Sequence, residues 1–168
     1  MLKRVTLVVV MLAACMAGFV PAASADKPIH NPFVAPPPTT FPAGLVCPFE
    51  VFVETVENRQ TETIFSDGTT QITGFFSTRV MNTENDKEVT LVSGGSVRLT
   101  PEGANLRVEV RGPIIFFFFP GDAGPGDTSV GRSYYFHGLT GGLVDPSTFV
   151  GLSFEHHGAA TDLCAALA

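Results

Sequence analysis

Histidine and carboxylate side chains come closest to a reactive cluster at Glu155-His156-His157 in "SFEHHG", with His137 one predicted strand earlier. Two imidazoles and one carboxylate would suit a facial metal site. Strand alternation works against it, because Glu155 and His157 share a face while His156 falls on the side of Val150, Leu152 and Phe154. A cross-strand site from His137, His157 and Glu155 is one reading, and two strand-end histidines, one packed and one solvated, is the other. Glu50 and Glu54 lie on one strand face as a glycosidase acid pair would, yet the surrounding Glu, Gln and Thr read as an ordinary wet surface. Asp122 and Asp127 sit in "PGDAGPGD", which lacks the ligand spacing and terminal Glu of a calcium loop and reads as a solvated turn. There is no G-x-S-x-G elbow, and no serine has a His and an acid at motif spacing. With no tryptophan and only Tyr134 and Tyr135, sugar stacking is also poorly supplied. The sequence therefore assigns no catalytic residue, no cofactor and no metal ligand.

Cysteine chemistry points to structure instead. The chain opens MLKR, continues through "VTLVVVMLAACMAGFV" and reaches Ala23-Ser24-Ala25 before Asp26, the order of a secretory signal peptide cleaved after Ala25. A second reading of this segment is a lipobox, Leu12-Ala13-Ala14-Cys15, which would anchor the chain by lipid at Cys15; only then is a membrane a partner. Cleavage leaves Cys47 and Cys164, one at each end of the remaining chain, and an even pair in an exported protein predicts a disulfide. It also removes Lys3 and Arg4 and no acid, so the formal charge moves from -6 to -8. That balance argues against nucleic acid, whose phosphates need clustered Lys and Arg.

The elements that must carry these residues are strands. Residues 26–45 hold six prolines, which excludes helix and central strand and predicts an extended arm, either a spacer or a segment lying on the domain. Residues 46–168 are expected to form a single β domain. Phe49, Val51 and Val53 alternate with Glu50, Phe52 and Glu54; Ile72, Phe76 and Val80 alternate with polar neighbours; Leu106, Val108 and Val110 do the same. "KEVTLV" and "SVRLT" read as two strands joined by a turn at Gly94-Gly95, and "TFVGLSFEHH" as the last strand. The result is an all-β antiparallel meander of about eight or nine strands, with a closed barrel preferred over a two-sheet sandwich because closure removes exposed edges.

The run IIFFFF, residues 114–119, is the unusual strand. Its even positions, Ile114, Phe116 and Phe118, are expected in the core, leaving Ile115, Phe117 and Phe119 on the face where neighbouring strands carry Arg, Glu and Thr. Four covers suit that face: the domain itself, the arm through Phe33 and Phe41, a second copy or protein partner, or an apolar ligand. A transmembrane barrel is disfavoured because the other strands show no outward apolar band. A rival reading places an apolar cavity inside the barrel, lined by Phe116, Phe118, Tyr134 or Phe136 with Arg79 or His156 as its polar group.

The motifs "CPF" at Cys47–Phe49, "FSDG" followed by Thr73-Gly74, "VMNTENDKEVTL", "RGPIIFFFFPG" and "DLCAALA" together resemble a group of secreted actinobacterial β-rich proteins that carry no known activity. The resemblance spans most of residues 46–168 and implies an exported, compact β domain. In architecture alone, such a meander is similar to allene-oxide-cyclase-like and dirigent-type barrels, and a fold shared at that level transfers no function. The expectation is an exported, non-catalytic β domain that acts outside the cell as a binding or surface-associated module. The alternative is an apolar small-molecule binder or isomerase-like enzyme with a cavity inside the barrel.

Overall fold

The computed structural model describes residues 26–126 and 129–168. The signal segment with Cys15, and Asp127, lie outside the described residues. Among the described residues, runs of alternating β-branched and aromatic residues form nine strands: β1 (Ile29–Pro32), β2 (Thr39–Phe41), β3 (Val51–Ile64), β4 (Thr70–Asn82), β5 (Glu88–Glu102), β6 (Asn105–Arg111), β7 (Ile114–Phe118), β8 (Arg132–Val144) and β9 (Glu155–Asp162). One short helix, α1 (Leu163–Leu167), follows β9, and the Asp162 carboxylate accepts a hydrogen bond from Ala165 N at 3.0 Å to cap it.

All nine strands belong to one antiparallel sheet. The short pieces share neighbours: β1 and β2 lie along opposite ends of β3, while β6 and β7, separated by Gly112-Pro113, lie along opposite ends of β8. From β3 to β6 neighbours in the sheet follow neighbours in the chain, β6 then pairs with β8 past the collinear β7, and β9 completes the sheet on the far side of β8. The expected closed barrel is not what forms. No strand ladder joins β9 to β1 or β2, so the sheet keeps two edges.

It curls all the same. β7 and β3 are far apart in the strand order, yet Ile115 and Phe117 of β7 pack on the buried cluster of Val46, Cys47, Phe49, Val51, Val80, Cys164 and Leu167. A line of glycines allows the bend. Gly74, Gly95, Gly112, Gly138 and Gly158 fall side by side across β4, β5, the β6–β7 link, β8 and β9, and all five have positive φ. At Gly95 φ is +110°, and an added Cβ would lie 1.9 Å from the Arg111 carbonyl oxygen; at Gly158 it would lie 1.9 Å from that of His137. Only glycine permits both the backbone angle and the close approach. This overturns the reading of Gly94-Gly95 as a turn: β5 runs unbroken through them for 15 residues and is creased there.

The two ends of the curled sheet meet at the disulfide. Cys47 and Cys164 are bonded with Cα atoms 5.4 Å apart, across 117 residues of chain. The Leu167 carbonyl accepts from Asn82 Nδ2 at 2.9 Å and Asn85 Nδ2 at 3.1 Å, and Lys87 donates to the Ala168 carbonyl. Ser133, buried on β8, donates its hydroxyl to the Val46 carbonyl at 2.8 Å. Among the described residues no helix is long and apolar enough to cross a membrane.

Candidate functional site

On one face of β7 and β8 the even-numbered residues build an aromatic cluster. Phe118 meets Phe154 edge-on at 5.0 Å between centroids, Phe136 lies 5.3 Å from Phe154, and Phe116 stacks on Phe118 at 5.9 Å. Phe136 is 1% exposed at the base of this cluster, with Tyr134 stacked on it at 5.5 Å. Edge-to-face and offset contacts of this kind add to the burial of the rings and hold them in fixed places.

Two loops rise over the cluster and leave a cleft of about 190 Å³ between them. Its floor is Phe116, Phe118, Val108 and Val144, with the bare backbone of Gly141 and Gly142 at one side. Asp122 fastens the loops together. It is 8% exposed, and its two carboxylate oxygens accept from Phe119 N at 2.8 Å and Gly151 N at 2.9 Å. The expected solvated turn is therefore a buried brace at this residue.

The second loop, residues 145–154, is turned by Asp145. Its Oδ1 accepts from the Ser147 hydroxyl and the Ser147 N–H, both at 2.7 Å, and from Thr148 N at 3.3 Å. These hydrogen bonds, the Ser147 hydroxyl first, hold the Asp145 carboxyl below its ordinary value. The turn delivers Phe149 to the cleft with φ +58° and the residue 76% exposed, anchored by a bond from Phe149 N to the Asp145 carbonyl at 2.8 Å. A positive φ on an aromatic residue is strained backbone. Val150, Leu152 and Phe119 are exposed as well, Phe119 on the wall of the cleft and the other two on the same loop as Phe149.

The odd face of the Phe strand is covered from within. Ile115 and Phe117 pack on the disulfide cluster, and Phe41 of β2 lies 5.5 Å from Phe117 and 5.9 Å from Phe119. An open patch of Ile115, Phe117 and Phe119 does not form; Phe119 alone of the three is exposed. The curl explains this, since it brings β2 and β3 over the face that a flat sheet would leave wet. Phe33 is elsewhere, its carbonyl held by Asn58 Nδ2 at 2.7 Å.

Of the six residues expected around an interior cavity, Phe116, Phe118, Tyr134, Phe136 and His156 do gather, in one ring cluster, and Arg79 alone stands apart from it. Phe116 and Phe118 line the cleft, Phe136 and Tyr134 lie in the cluster beside it, and Arg79 is engaged with Glu54 at 2.6 Å and Glu88 at 3.6 Å. His156 packs on Phe136 at 4.5 Å, with Nδ1 3.0 Å from the Thr140 hydroxyl. His137 sits against Tyr135 at 4.6 Å, and the Glu155 carboxylate lies 3.8 Å from Arg107. Among the described residues no three His, Cys, Asp or Glu side chains are placed to hold a metal. Glu50 accepts from the Thr83 hydroxyl at 2.9 Å while Glu54 is paired with Arg79, so they are engaged with different partners.

Sequence reading missed Phe149, Leu152 and Phe154 because "TFVGLSFEHH" alternates like a strand. Strand β9 in fact begins at Glu155 and runs on through "GAATD". The signal that was present is Asp145-Pro146-Ser147, an Asx-turn sequence that ends a strand and opens a loop. No family model, curated protein or solved structure matches this chain.

Proposed function

We propose that the chain is an exported, non-catalytic β domain that recognises a protein partner through the aromatic cleft and its rim. One observation carries this reading: Phe149, Val150, Leu152 and Phe119 are exposed on and around a cleft floored by Phe116 and Phe118. Exposed apolar residues clustered in this way mark interaction sites in soluble proteins. The rim extends beyond the concavity, so a small molecule filling about 190 Å³ would leave it wet, whereas a partner that seats one apolar side chain in the cleft would cover both. Export is the reading supported by the signal-peptide pattern, the resemblance to secreted actinobacterial proteins and the disulfide, a bond that persists in oxidising compartments.

Selection from a random peptide library on the immobilised wild-type domain tests the reading. The expected winners carry Phe, Tyr or Leu and bind a Phe149→Ser, Leu152→Ser variant about tenfold or more weakly. Both substituted side chains are exposed, so the variant keeps the wild-type melting temperature. Peptides that bind wild type and variant equally would remove the cleft from consideration.

A further inference from the structure

The cleft has a sign of charge as well as an apolar floor. The two loops over it, residues 119–131 and 145–154, contain Asp122, Asp127 and Asp145 and no Lys, Arg or His. The strands beneath keep their cations away from it. On β6, Arg107 and Arg111 lie at odd positions while Val108 lines the cleft, so strand alternation sends both to the opposite face, where Arg107 pairs with Glu102 and Glu155. Arg132 opens β8 opposite Phe118, but it is engaged and lines a separate hollow with Asp162 and Cys164. Arg79 is held by Glu54 and Glu88, and Arg59 by Glu57.

Asp122 is the group this leaves unbalanced. It lines the cleft, is 8% exposed, and its oxygens accept from the N–H groups of Phe119 and Gly151; among the described residues no Lys or Arg forms an ion pair with it. A carboxylate with little water around it and apolar walls beside it projects its field into the open space in front, because low-dielectric walls focus field lines that water would damp. Asp145 adds a second negative charge at the foot of the loop that carries Phe149. The exposed rings favour the same sign of partner, since the face of an aromatic ring attracts cations. Arg59 lies over the Phe75 ring, 5.6 Å from its centroid, and among the described residues no cation covers Phe119 or Phe149 in this way.

We infer that the protein partner is basic at this site: beside the apolar side chain it seats in the cleft it carries a Lys or Arg, whose cation lies over the Phe119 and Phe149 rings in the field of Asp122. The inference rests on the cleft being a protein-binding site and adds the charge of the segment that docks there. An acidic segment would meet the same apolar floor and be repelled by Asp122. Long basic side chains also suit the rim, because their aliphatic stems cover apolar surface while the charged end stays in water.

Two capped peptides, Gly-Ser-Lys-Phe-Lys-Ser-Gly and its counterpart with Glu in place of both Lys, are titrated into the full mature chain at low salt and followed through the methyl resonances of Val108, Val144 and Leu152. The lysine peptide is expected to shift these methyls and to bind about tenfold more tightly than the glutamate peptide. Salt at about 1 M, where the Debye length is about 3 Å, should shrink that ratio to about twofold. Asp122→Asn, which removes the nearer charge together with one of the two loop bonds, should lower the low-salt ratio about fivefold. Asp145→Asn removes a charge without disturbing its turn, since Ser147 and Thr148 donate to the single oxygen Oδ1, which asparagine retains; it should lower the ratio about twofold. Equal binding of the two peptides, a preference that high salt leaves unchanged, or a ratio unaltered in both variants would overturn the inference and leave the cleft as a site for an apolar side chain alone. Failure of both peptides to move these methyls would overturn it together with the protein-partner reading.

Discussion

Asp122 and Asp145 show how much a single carboxylate decides in this chain. Each sits in a Gly- or Pro-containing loop, and Asp122 reads from sequence as a solvated turn residue. Asp145 turns its own loop through Ser147 and Thr148; Asp122 is buried and ties that loop to the Phe strand through Gly151 N and Phe119 N. Nothing local distinguishes them, because the second N–H that Asp122 binds arrives from 29 residues further along the chain. The Asp145 bonds give a pH prediction. Its folded carboxyl titrates below its unfolded value, so its contribution is complete above the unfolded value and is lost as pH falls through the lower folded one. The Ser147 amide proton resonance should therefore hold its position to below the ordinary aspartate range and then move, with Phe149 loosening in step. An Asp145→Asn variant should show no such transition.

Among the elements, β5 and β7 carry the lesson of the fold. The alternation that identifies β5 as strand on both sides of Gly94-Gly95 is correct, yet glycine pairs inside strands and at turns look alike in one dimension. What separates them is the neighbouring glycine on each adjacent strand, visible once register is known. At the crease a side chain meets a backbone oxygen that cannot move without breaking the ladder. Gly95→Ala is expected to destabilise by on the order of 3 kcal/mol, measured by denaturant unfolding, whereas Gly103→Ala, at a turn with no atom within 4 Å of the added Cβ, should cost markedly less. For β7 the sequence shows an unusual strand with two apolar faces. Both are used: the even face for the aromatic cleft, and the odd face against the disulfide core and Phe41.

Over the whole molecule, the disulfide does the work that a closing ladder does in a barrel. It joins the segment before β3 to the helix after β9, the two regions that flank the unpaired edges. Closing a loop of 117 residues restricts the unfolded chain by about 5 kcal/mol in the chain-entropy account. A Cys47→Ser, Cys164→Ser variant should lose stability approaching that value and gain solvent access first at α1 and Val46, read by hydrogen exchange. Loss confined to a few tenths of a kcal/mol would mean that side-chain packing alone holds the ends together. The sequence by itself determined the all-strand antiparallel character, the cysteine pair and the singular status of the Phe run, because alternation, turn residues and cysteine number are local or countable properties. Tertiary structure alone decided that the sheet creases rather than closes, that Ile115 and Phe117 turn inward, and that the cleft exists. Each of these depends on which backbone stands opposite which across the sheet, and that register is fixed only when all the strands have packed.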